Sequence, residues 1–198
     1  MNKPDYKKIT QVLNYIAQKS GGEVNYMKAL KLLYFAERLH LRKYGRLISG
    51  DVLVAMKNGT LGSQTRDIAK LSDYLPHVVY EYAENKLKRK DDYSIEANCA
   101  DKDHLSETDI ECVDKVLGIL GDKDQFELAE LTHKLPEWKK HEYEIEEDGI
   151  PVVSIDLLDL FKPTHNDLLN KIYSQSEIQL NTSRDLFTES VDYKLQTA

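Results

Sequence analysis

The stretch YMKALKLLYFAERLHLRKY, Tyr26 to Tyr44, leaves the chain few ways to fold. Asn25 ahead of it suits a helix N-cap, and Gly45 behind it supplies the left-handed position that ends a helix, so one helix is predicted from about Asn25 to Tyr44. Tyr26, Met27, Leu30, Leu33, Tyr34 and Leu41 lie on several faces of that helix, which must have neighbours on most sides and therefore sit centrally. One face is charged. At about 100° per residue, Lys28, Lys31, Phe35, Arg38 and Arg42 share an arc of about 80°. Such a strip is either a solvated face whose lysines pair with nearby acids such as Asp51 or Glu37, or a docking surface for an acidic or phosphate-bearing partner. On the second reading, Arg46, Lys57 and Asn58 in the adjoining loop complete the surface.

The flanking segments read as a mainly α, α+β chain: a compact helical domain around this central helix, with one or two short β-strands or hairpins. Tyr6, Ile9, Val12, Leu13, Ile16 and Ala17 keep helical spacing from Tyr6 to Lys19, and Gly21-Gly22 ends that run. DVLVAMKNG predicts a strand running into an Asn-Gly turn, NGTLGS a turn leading to a helix, SQTRDIAKLSDYL a helix, and DDYSIEAN a short strand. Ser106 with Asp109, and Asp124 with Glu127, are capping boxes ahead of two further helices. YEIEEDGIPVV alternates and predicts a strand with a hairpin turn at Asp148-Gly149. Short helices are expected from Ser154 to Phe161 and from Thr164 to about Ile178, and the polar end as a flexible tail or one ordered by a partner. The domain is expected over residues 1–163, with 164–198 as a C-terminal helix and tail.

Composition excludes several function classes. The formal net charge of -7 argues against unaided binding to nucleic-acid phosphates. The start has no apolar signal core, and no run reaches the length of a membrane span. Cys99 and Cys112, without a CxxC pair, read as free thiols in a reducing cytoplasm.

Candidate chemistry is sparse. Glu127, Glu130 and His133, with His141 beyond, are the best metal-ligand set, but HExxH is absent and no second cluster completes a first shell. Cys112 falls near an apolar face and packs there. Ser49 and Ser63 make no GxSxG elbow, and NGTLGS lacks the glycine spacing of a phosphate cradle. The basic run KLKRK, Lys86 to Lys90, runs straight into Asp91-Asp92 and reads as a solvated loop. Neither catalytic residues, metal nor cofactor are expected.

Two blocks carry a family resemblance. The first comprises Leu-Leu-Tyr-Phe-Ala, Leu-His-Leu-Arg-Lys-Tyr-Gly-Arg, Ile-Ser-Gly-Asp and Ala-Met-Lys-Asn-Gly; the second is LSETDIECVDKVLGILGDKDQFELAELTHKLPEWKK. Over roughly Tyr6 to Phe161 the chain resembles the Panacea domain, also called the SocA-like antitoxin domain. The resemblance implies a non-catalytic bacterial or phage antitoxin, whose partner is a cognate toxin encoded by an adjacent gene and bound by direct protein contact. One branch of the family is described as an adaptor that hands its toxin to a cytoplasmic protease, a second partner class. Neither membrane nor direct nucleic-acid binding is expected. Tyr34, Gly45, Asp51, Gly59, His133 and Trp138 are the family-motif positions, and Asp51, His133 and Trp138 are expected to tie the two halves of the domain together. Thr60 stands where the family usually has a proline, which is expected to loosen that turn.

Overall fold

A computed structural model describes residues 4–91, 93–98 and 100–197, with side chains to residue 193. The free thiol expected at Cys99 and the acid Asp92 lie outside the described residues. Helix α1 (Tyr6–Lys19) starts at Asp5, whose carboxylate accepts from Lys8 N at 3.0 Å. Gly21 and Gly22, both at positive φ, turn the chain into strand β1 (Glu23–Asn25). The Asn25 side chain then accepts from Met27 N and Lys28 N to open α2 (Tyr26–Tyr44), and Gly45 closes it at φ 66°. Both ends were set by local chemistry visible in the sequence.

Strands β2 (Leu53–Met56) and β3 (Gly59–Gly62) form an antiparallel hairpin, with Met56 opposite Gly59 and Leu53 opposite Gly62. The expected Asn-Gly turn is shifted by one residue. Lys57 and Asn58 are the loop residues, neither at positive φ, and Gly59 supplies the φ of 87° that lets the chain enter β3. NGTLGS is thus largely a strand, not only a turn before a helix. Helices α3 (Ser63–Lys70) and α4 (His77–Lys86) follow, and then β4 (Lys88–Arg89) and β5 (Ser94–Glu96). The basic run expected as a loop contributes β4, because Lys88 and Arg89 pair with Glu96 and Ile95.

A 3-10 turn (Lys102–His104) leads to α5 (Glu107–Leu120) and α6 (Gln125–His133), both opened by complete capping boxes. Helices α7 (Pro136–Lys139) and α8 (Glu142–Glu146) come next. The strand expected over YEIE is therefore helical. Its alternation rested on Tyr143 and Ile145 alone, glutamates favour helix, and Ile145 N continues the preceding turn to His141 O at 3.0 Å. Gly149 does turn the chain, at φ 70°, into β6 (Val153–Ser154). A second 3-10 turn (Leu157–Phe161) opens from Asp156 rather than Ser154, and α9 (Asp167–Ile172) is capped by Asn166 rather than Thr164. The polar end forms α10 (Glu177–Thr197).

The fold is mainly α with two small antiparallel sheets, in strand order β1-β5-β4 and β3-β2-β6. One apolar core gathers Ile9, Leu13 and Ile16 of α1, the apolar residues of α2, Val113 and Val116 of α5, and Trp138. Cys112 packs within it, and burial pushes its thiol up to about 12. Among the described residues no helix is long and apolar enough to cross a membrane.

Candidate functional site

Fourteen consecutive residues of α2, Ala29 to Arg42, are buried. The expected charged strip is therefore not an exposed surface: Lys31, Phe35 and Arg38 are fully buried and Arg42 nearly so. Helices α5, α6 and α10, strand β3 and the second 3-10 turn enclose this helix. The strip binds the protein to itself. Arg38 Nε donates to Glu137 Oε1 at 2.9 Å, an ion pair with both side chains out of contact with solvent, and Tyr34 Oη donates to the same oxygen at 3.0 Å. Arg38 Nη2 donates to Lys162 O, while Arg42 Nη1 reaches Leu160 O, Phe161 O and Lys162 O at 2.9, 2.6 and 3.1 Å. These are the carbonyls a 3-10 turn leaves free at its end. The Arg38 guanidinium also lies 4.3 Å from the Tyr173 ring centroid. Burial and then the neighbouring Arg38 lower Arg42 to about 10; at Arg38 burial pulls downward most strongly, but Glu137, Tyr173 and Tyr34 together outweigh it and the value is raised. Neither of the acids suggested by proximity pairs with the strip. Glu37 accepts from Ile48 N and Ser49 N, and Asp51 accepts from Val52 N, Gln64 N and Thr65 N.

The β2–β3 hairpin is held from the C-terminal half. Trp138 Nε1 donates to Met56 O at 2.9 Å, and His133 Nε2 lies 3.1 Å from Lys57 O, which fixes the proton on Nε2. The His133 and Trp138 rings lie 4.1 Å apart, and burial holds His133 below its ordinary value. Thr132 Oγ1 accepts from Thr60 N at 3.4 Å, and Lys31 Nζ donates to Thr60 O at 2.9 Å. Glycine is required at 59, where a Cβ would overlap Thr132 Oγ1 and meet Lys31 Nζ at 3.0 Å. Burial alone lowers Lys31 to about 7. Asp51, by contrast, does not bridge the halves: its four hydrogen bonds, one from Thr65 Oγ1, anchor the start of α3 to β2.

The remaining strip candidates do not share a surface. Half-buried Lys28 donates to Gly121 O at the C-terminal end of α5. Exposed Arg46 reaches Ser106 Oγ, Thr108 Oγ1 and Asp109 Oδ1 at the other end, about 20 Å away along a helix of that length. Lys57 and Asn58 are exposed at the hairpin tip. Glu127 closes its capping box and pairs with Lys123, Glu130 stands 3.9 Å from His133, and His141 pairs with Glu144.

Sequence reasoning missed Glu137, which lies 99 residues from Arg38, and Thr132, 72 from Thr60. The one signal for Glu137 was its place between Pro136 and Trp138 in the second block. It also missed the double role of Asp109. Burial raises that carboxyl, but hydrogen bonds from His40, Lys8 and Ser106 hold it well below the usual carboxylate range.

No curated protein and no solved structure matches the chain. Residues 30–139, from the second turn of α2 through α7, match the family described as antitoxin SocA-like, Panacea domain. That span is more than half of the chain and contains the buried α2 charges, the hairpin and the residues that grip it, so the protein belongs to the SocA-like antitoxin family, as one of its Panacea-domain members.

Proposed function

We propose that this protein is an antitoxin that neutralises a cognate toxin by direct protein–protein binding, without catalysis of its own and without a cofactor. Family membership over residues 30–139 carries the reading. The internal geometry supports it: Tyr34, Gly59, His133 and Trp138 are all engaged in building the fold. Partner choice then falls to exposed positions, where a stable complex needs roughly 1,200–2,000 Å² of buried surface. The toxin is the product of an adjacent gene.

Growth rescue tests this. The neighbouring open reading frame is expressed from an inducible promoter with and without this chain. Arrest by the neighbour alone, growth with the chain present, and co-purification in fixed stoichiometry are the expected results. Continued arrest despite abundant chain would remove the reading.

A further inference from the structure

The two outer edges of the β3-β2-β6 sheet are treated differently. Ser63 N bonds Val52 O, so along the hairpin Thr60 turns its N–H and C=O away from β2. Thr132 Oγ1 takes that N–H and Lys31 Nζ takes that carbonyl, which closes the β3 edge. On the opposite side, Ile155 N bonds Leu53 O and Val153 lies opposite Ala55. Alternation then directs the N–H and C=O of Val152 and Ser154 away from β2. Among the described residues these groups have no hydrogen-bond partner, and Val152 and Ser154 are exposed. Further along the chain, Arg38 and Arg42 anchor the carbonyls of residues 160–162.

The surroundings specify an occupant. Ile150, Val152 and Leu158 expose apolar side chains along this segment, and Tyr143 on α8 is 69% exposed. Glu146, Glu147 and Asp148 ahead of the strand and Asp156 behind it form no ion pair among the described residues. An open strand edge flanked by exposed apolar side chains and by carboxylates held in no ion pair suits an extended chain of opposite charge.

We infer that the β6 edge is the docking site for an extended, lysine- or arginine-bearing segment of the toxin, which adds to the sheet as a strand. The inference rests on the antitoxin reading. Main-chain hydrogen bonds to Val152 and Ser154 supply a sequence-tolerant part of the affinity, and the four carboxylates supply orientation and speed of encounter.

The experiment uses the full chain and the adjacent gene product, in growth rescue and in purified complex. Ser154→Pro removes an outward N–H and no bond to β2; the combined E146K/E147K/D148K variant reverses the flanking charge on exposed side chains. Thermal unfolding confirms that each folds. The expected result is at least a tenfold weaker complex for each, with slower and less salt-dependent association for the charge variant. In the wild-type complex, amide exchange at Val152 and Ser154 slows. Full-strength binding by both folded variants, with exchange at those amides unchanged, overturns the inference while the antitoxin reading stands. A homodimer of the free chain dissolved by Ser154→Pro would put a second copy on the edge and overturn it also. If the wild-type chain fails to restore growth, the antitoxin reading falls and takes the inference with it.

Discussion

Lys31 shows how one side chain can be both a liability and a closure. Its ammonium closes the β3 edge by donating to Thr60 O, yet burial lowers its pKa from 10.5 to about 7. Between those values the unfolded chain binds the proton and the folded chain does not, so stability rises with pH across that window and is flat below it. Lys31→Met should remove that slope. Chemical denaturation at several pH values should show the wild type gaining on the variant by up to about 1.4 kcal/mol per pH unit from pH 7 toward 10.5, and parallel curves would refute it. Glu137 poses the opposite problem, for it neutralises a buried arginine. Glu137→Ala should cost about 3–5 kcal/mol in unfolding free energy, because Arg38 stays buried without its partner. A loss below about 1 kcal/mol would mean that the carbonyl of Lys162 and the Tyr173 ring suffice.

At the level of elements, helix α10 is seated where α2 ends. A Cβ on Gly45 would stand 2.6 Å from Ser183 O and 3.1 Å from the Leu186 Cβ, at a φ of 66°. Gly21 has a comparable positive φ but open space around it. Gly45→Ala should therefore lower the melting temperature more than Gly21→Ala, and should speed proteolysis within α10; equal effects would mean that backbone strain alone decides. Asp124→Ala, which removes the cap of α6, should cost about 1 kcal/mol. Helix ends of this kind were legible in the sequence. The bounds of α1 and α2 and both capping boxes follow from residues within four positions of each other. The charged strip was misread because periodicity locates a face but not what covers it, and its cover comes from residues 137 and 160–162. YEIE was misread because two apolar residues cannot distinguish a period of two from the edge of a helix. The polar end forms a helix because Leu180, Ser183 and Phe187 share one side of α10, a spacing too diluted by polar neighbours to stand out.

For the molecule as a whole, α2 is common property. Its N-terminal neighbours α1, α3 and β3 and its C-terminal neighbours α5, α6 and α10 all pack on it. Residues 1–104 alone should then fail to fold, with a circular dichroism spectrum and amide dispersion of an unfolded chain; a folded fragment would show two separable halves. Several of the contacts that hold α2 and the hairpin in place have a common kind of target. Arg38, Arg42, Lys28, Lys31, His133 and Trp138 all reach main-chain carbonyls, at Lys162, Leu160, Gly121, Thr60, Lys57 and Met56. A grip on the main chain does not register which side chain stands on the other side of it. Lys57 points an exposed side chain outward from a carbonyl already engaged within. Replacing that outward group changes what the surface says to a partner while the internal clasp on its carbonyl stays closed, so the scaffold can be rewritten there on the outside without being rebuilt.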